Sequence, residues 1–284
     1  MFGRERFDLK DGAQVRAMRA AGLVVADALA AVRAAARPGV TTAELDAIAA
    51  AVIADAGAIP SFVGVDGGPG VQPYPATTCI SVNDEIVHGI PGERVLEAGD
   101  VVSVDCGAIL DGWNGDSAFS MVLEPADPAD VALVEATEAA MWAGIAALVS
   151  GERLGVVGDA VEATARAAAA DAGVRYGVVQ EYTGHGIGRS MHEAPTVLNY
   201  RSRERGPRIR EGLCVAIEPM LTRGSRGTDE LDDGWTVVTV DGSRAAHWEH
   251  TVAVTPGGVW VLTAHDGGAA GLGALGVAVA PWDD

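Results

Sequence analysis

A chain of 284 residues, 49% of them apolar, is long enough to bury a large core, as one domain or as two halves packed together. Its 39 acidic residues against 20 basic ones leave a formal charge of −19, which argues against a phosphate backbone, and so nucleic acid, as the main partner. Cys79, Cys106 and Cys214 are an odd set without CxxC spacing, the opening MFGRERFDLK has no apolar signal core, and no apolar run approaches a membrane span. A soluble, cytoplasmic protein with free thiols and no membrane partner is the expectation.

Val15, Met18, Gly22, Val25, Leu29 and Val32 alternate in steps of three and four, which predicts an amphipathic helix over 11–36 that stops before Pro38-Gly39. Thr41-x-x-Glu44 is a capping box, and Leu45, Ile48, Val52 and Ile53 carry a second helix to Gly57. Residues 60–76, dense in glycine and proline, form a loop. TTCISVNDEIVHGIPG then supplies two short strands flanking Asn83-Asp84, with His88 at the end of the second. A lone histidine there is more often a surface or core residue than a catalytic one.

The stretch VVSVDCGAILDGWNGDSAFS, 101–120, reads as two strands around Asp111-Gly112, the dipeptide that most strongly signals a two-residue hairpin turn. In that register Leu110 faces Trp113 and Asp105 faces Ala118, so Asp116 lies diagonally from Asp105 on the same face, roughly 7–8 Å away. Two carboxylates so placed either take up a proton or hold a cation between them. Taken alone the pair is no known motif, and ordinary strand-end or turn aspartates remain the alternative.

Pro125 and Pro128 break the chain. Residues 129–150, with Val131, Val134, Met141, Ile145 and Leu148 inward, and the Ala-rich 156–172, ending at Gly173, predict two more helices. Two helices followed by strands thus occur twice, suggesting similar halves, about 9–125 and 126–264, although no sequence repeat is visible. In GHGIGRSMHE, 184–193, His185 and His192 lie seven apart among glycines, which is wrong for the paired histidines of a zinc-protease helix and suits an extended or turning backbone. LCVAIEPM, 213–220, is an apolar strand whose terminal Glu218 is either exposed or paired. GWTVVTV, 234–240, and HWEHTVAVT, 247–255, are expected to pair as strands, with Glu249 inside the second and solvent exposure its ordinary fate. The Gly/Ala-rich tail, 265–284 after a domain of 1–264, is expected to fray.

Collected, the candidates are Asp105, Asp116, His185, Glu218 and Glu249, a donor set that suits hard or borderline divalent ions better than a thiolate zinc site would. Four converging carboxylates repel strongly, and two divalent cations cancel their charge. The inference is a dinuclear site, with ions roughly 3.5–4 Å apart and a water or hydroxide bridging them.

In these residues the chain resembles the type I methionine aminopeptidases: TTCISVNDEIVHGIPG, VDCGAILDGWNGDSA, GHGIGRSMHEAP, AIEPM, DGWTVVTVDGS and WEHTVAV follow in order, and the likeness spans roughly 9–262. The resemblance implies an α+β pita-bread fold, two pseudo-symmetric α/β halves with a curved antiparallel sheet covered by helices and a dinuclear metal site at the centre. It implies hydrolysis of the N-terminal methionine from nascent proteins and peptides, favouring a small second residue. Asp105 would chelate one ion, Asp116 and Glu249 would bridge both, and His185 and Glu218 would complete the shell of the second. Glu218 would also shuttle a proton, His192 would stabilise the oxyanion, and His88 would contact the peptide nitrogen or the next residue. Tyr74, Cys79, Met191 and Trp235 would line the methionine pocket, where soft and aromatic groups suit a thioether.

Two features depart from the family pattern: the loop 64–73, GVDGGPGVQP, is longer and richer in glycine and proline, and Met191 stands where an aromatic residue is common. Co, Mn, Fe and Zn all tolerate such ligands. An X-Pro dipeptidase or aminopeptidase of the same fold is the nearest rival; it would keep the five ligands, but usually has an extra N-terminal domain. A non-catalytic relative would lack some ligands. The short interval from Glu218 to Glu249 leaves no room for the type II insertion, and no Cys/His-rich extension marks a zinc-finger form. The expected partners are nascent chains near the ribosome, met by a monomer.

Overall fold

The computed structural model describes residues 7–282. In chain order it runs through α1 (Gly12–Ala35), α2 (Thr42–Asp55), β1 (Ile59–Pro60), β2 (Thr78–Val82), β3 (Glu85–Val87), β4 (Val101–Leu110), β5 (Trp113–Val122), α3 (Pro128–Ser150), α4 (Val156–Ala172), β6 (Gly177–Val178), β7 (Gly184–Gly186), β8 (Glu193–Val197), β9 (Cys214–Ile217), β10 (Met220–Thr222), β11 (Thr228–Glu230), β12 (Val237–Thr239), β13 (Ala245–His247), β14 (Glu249–Thr255), β15 (Gly258–Val261) and α5 (Ala269–Gly273).

The helices start where side chains satisfy their free N–H groups. Thr41 and Glu44 form the expected box at α2, and Asp11 with Gln14 forms a second one at α1 that the sequence reading passed over. Asp127 caps α3 ahead of Pro128, and α4 ends at Gly173, whose φ of 67° is the left-handed conformation glycine adopts freely. Every residue of the predicted α1 stripe is buried, whereas in α2 Leu45 and Ile53 go inside with Ala49, and Ile48 and Val52 stay half-buried. By length and composition α3 is apolar enough to cross a membrane, which corrects the reading that no run is; half of that window is buried within the protein, as in a core helix.

The main sheet has the order β1-β4-β5-β14-β9-β7-β8, with β2 also on β4 and β15 on β14. Its pairs are antiparallel, and β5 joins β14 through Glu249 opposite Ala118 and His250 opposite Ser117. The helices cover one face. Gly22 of α1 sits against Gly115 of β5, and Gly144 of α3 against Ile217 of β9.

Two further expectations need correcting. The segments 234–240 and 247–255 do not pair: β12 lies between β3 and β11, while β14 runs between β5 and β9. Val252, Ala253 and Val254 are buried, so β14 is a central strand whose two edges are already filled. The tail does not fray either. Leu272 of α5 is fully buried, Ala280 donates its backbone N–H to Val259 O at 2.9 Å, and Arg16 donates to Trp282 O at 3.1 Å.

A Cβ on Gly115 would come within 2.7 Å of Gly22 Cα, and one on Gly22 would run into the carbonyl of Leu262. Gly22→Val is therefore expected to destabilise the protein by about 1–3 kcal/mol or more through overpacking, read as a lower urea midpoint. An unchanged midpoint would mean that α1 is not seated against Leu262 in this way.

Candidate active site

The register of the main sheet gathers the predicted residues. Cys79 pairs with Asp105, Asp105 with Ala118 as the hairpin predicted, and Ala118 with Glu249. The pairing of His250 with Ile217 sets Glu249 beside Glu218 one step on. One row of side chains therefore crosses β2, β4, β5, β14 and the end of β9. Two residues along, the Thr251 hydroxyl donates to Asp116 O at 2.8 Å and accepts the Asp116 backbone N–H at 3.1 Å. Thr251 pairs with Ala216, and Gly186 with Val215, which brings His185 level with Ala216. Residues two apart on a strand share a face, so all five candidates point to the side away from the helices. The small, buried Ala118 and Ala216 stand between them and leave room above.

His185 Nε2 is 3.5 Å from Glu218 Oε1 and 4.0 Å from Asp116 Oδ2. One ligand atom from each of Asp116, His185 and Glu249 lies within 4.8 Å of the others. The Nδ1 of His185 is 2.9 Å from Gly186 O; a carbonyl only accepts, so Nδ1 carries the proton and Nε2 presents its lone pair to the acids. Glycines at 184 and 186 let β7 lie this close, because a Cβ there would strike the carbonyls of Ala216 and Ala194.

Burial dominates the electrostatics. It pushes the Asp105 carboxyl from 3.8 up to about 7. Burial first, then the neighbouring carboxylates, raise Asp116, Glu218 and Glu249 well above the usual range. His185 is held down to about 4, and so neutral, by burial and then by His192. Asp105 Oδ1, Asp116 Oδ1 and Glu249 Oε1 are buried without a hydrogen-bond partner. Buried acceptors are seldom left so, and a divalent cation facing oxygen donors and one imidazole nitrogen fits them.

All eleven residues singled out from the sequence line one pocket: His88, Asp105, Asp116, His185, His192, Glu218 and Glu249, with Tyr74, Cys79, Met191 and Trp235. Phe62 and Val65 line it too and were missed. Their signal was a fold, not a period: Gly64 N–H donates to Tyr74 O at 2.8 Å and Tyr74 N–H to Val65 O at 2.9 Å, closing the base of the 64–73 loop. Tyr74 meets Trp235 edge-on at 5.1 Å and Phe62 at 6.4 Å between ring centres. The indole N–H of Trp235 donates to Gln72 O at 2.8 Å, so the long loop holds this wall. His88, at a φ of 60°, turns its ring edge-on to Tyr182 at 5.4 Å, and burial holds it down to about 4. His192 is exposed at the rim with its ring 4.4 Å from that of His185.

Metallopeptidase family M24 matches residues 16–256. Methionine aminopeptidase 1 of Mycobacterium tuberculosis is 52% identical over 92% of this chain and 96% of its own length, and methionine aminopeptidase 1 of Bacillus subtilis is 42% identical over 87% and 94%. The chain belongs to metallopeptidase family M24. Among solved structures, the methionine aminopeptidase of Thermotoga maritima superposes with a TM-score of 0.84 at 37% identity, covering 91% of this chain and 99% of that one. The prolidase of Pyrococcus furiosus shares the pita-bread fold at a TM-score of 0.67 and 20% identity, and this chain covers 65% of it.

The raised carboxyls carry a pH signature. An unfolded Asp105 loses its proton near 3.8 and the folded one near about 7, so metal-free folded protein loses stability as pH rises through that window. A bound cation must displace protons that the folded carboxyls still hold. Titrating metal-free protein with Mn²⁺ near pH 6.5 is expected to release protons, and the gain in Tm at saturating Mn²⁺ to grow from about pH 6 to about pH 8. No proton release, with a pH-independent gain, would contradict the site.

Proposed function

We propose that the chain removes the N-terminal methionine from peptides and nascent proteins by metal-dependent hydrolysis, favouring a small second residue. The observation that carries this reading is one pocket in which an acidic floor meets a wall of Phe62, Val65, Tyr74, Cys79, Met191 and Trp235. A free α-amine would ligate a divalent ion held on that floor and a blocked terminus would not, which confines cleavage to the first residue. The wall offers polarizable and aromatic surface to a thioether.

Asp105 would hold one divalent ion, His185 and Glu218 the other, with Asp116 and Glu249 shared between them. Such ions supply Lewis acidity and a water that is nucleophilic near neutral pH. Burial keeps the Glu218 carboxyl, 13% exposed, able to take a proton and return it to the leaving amine. At the rim His192 would donate to the scissile carbonyl oxygen, and the neutral His88 ring would contact the peptide nitrogen or the next residue. The three free, buried thiols suit a reducing cytoplasm, where chains leaving the ribosome are the expected substrates.

Asp116→Asn should abolish turnover of Met-Ala-Ser while leaving the fold intact, since sharing two ions needs both oxygens and the charge; near-wild-type activity would rule out that role. His192→Ala should lower kcat roughly 10²–10³-fold if it donates to the oxyanion, and a raised KM with kcat untouched would make it a binding residue. Met-Ala-Ser should be cleaved in preference to Gly-Pro, and the reverse preference would favour an X-Pro dipeptidase.

A further inference from the structure

Next to the pocket floor, a cluster of charged and polar groups surrounds the segment 188–193, which carries Met191 and His192. Lys10, just before α1, is buried at 3% exposure, and its Nζ lies 2.7 Å from Glu193 Oε2. The other Glu193 oxygen accepts the Ser190 backbone N–H at 3.0 Å, so one carboxylate ties a buried ammonium to the turn ahead of His192. Lys10 is itself seated by its backbone N–H on Gly212 O at 2.8 Å.

At the other end, the Arg189 guanidinium lies 3.9 Å from the centre of the Trp113 ring and donates to Asp111 O at 3.0 Å and Gly112 O at 3.1 Å. Asn114 donates its backbone N–H to Gly188 O at 2.9 Å and its side-chain amide to Gly188 O and Arg189 O, both at 3.1 Å. The segment is thereby fastened to the tip of the β4–β5 hairpin that bears Asp105 and Asp116. Among the described residues the His192 ring makes no hydrogen bond, only an edge-on contact with the His185 ring at 4.4 Å, so its position depends mainly on the backbone that carries it.

We propose that Lys10 and Glu193 are positioning residues whose part-buried ion pair, with the hairpin-tip clamp, fixes the 188–193 segment and so aims the His192 imidazole at the scissile carbonyl. This rests on the reading of His192 given above. Removing Glu193 leaves the buried Lys10 ammonium with only the exposed Asp8, 3.6 Å away, and removing Lys10 leaves the part-buried Glu193 without its cation, so the neutral pair Lys10→Met/Glu193→Gln accompanies the single variants.

In Lys10→Met and in the neutral pair, kcat on Met-Ala-Ser should fall roughly 10- to 100-fold with KM near wild type. Lys10→Arg should restore part of it, and the same changes made in His192→Ala should add no further loss. Amide exchange at Gly188 and Ser190 should quicken while that in α1 and β14 holds. Wild-type kcat in the folded neutral pair, an equal loss in both backgrounds, or unchanged exchange at 188 and 190 would each overturn the proposal. Should the wild-type chain cleave no Met-peptide, the functional reading fails while the exchange measurement still decides whether this ion pair braces the segment.

Discussion

Four carboxylates gathered on one face of one sheet, two of them buried and two nearly so, are the constraint on which the structure depends. Each costs free energy to desolvate, and their mutual repulsion adds to it, so nothing in the fold's own packing explains why they lie together. The strands nevertheless hold them in adjacent rows, with alanines at 118 and 216 between them and partnerless oxygens on Asp105, Asp116 and Glu249. The apolar face of the same strands is where α1 and α3 are seated. Packing on one side thus fixes an electrostatic conflict on the other, and a divalent cation resolves it.

Much of this was legible because it is local. The Asp111-Gly112 turn sets a register, and the register alone puts Asp105 opposite Ala118 with Asp116 on the same face. Helix boundaries were readable from caps and glycines, as at Thr41, Glu44 and Gly173. What escaped was non-local. Nothing in 234–255 states that β14 pairs with β5 and β9 instead of β12, since an apolar strand carries no label for its partner. Glu249, ordinary on an isolated strand, is buried only because that central placement puts it beside Ala118.

The pocket wall shows the same division. Tyr74, Cys79, Met191 and Trp235 were identified through likeness to a family, and the structure sets them around one cavity. Phe62 and Val65 join them because the 64–73 loop folds back on Tyr74 and reaches Trp235 through Gln72. Glycine and proline density announces a loop without saying where it returns. The tail was misjudged for a related reason: small residues look unable to pack, yet Gly271 lies against the Trp142 ring, where a larger side chain would not fit.

The most direct test of the central claim is anomalous diffraction from crystals grown with Mn²⁺. Two peaks roughly 3.5–4 Å apart, enclosed by Asp105, Asp116, His185, Glu218 and Glu249, are predicted. Density showing the five side chains without any ion between them at saturating Mn²⁺, or the peaks elsewhere on the molecule, would contradict it.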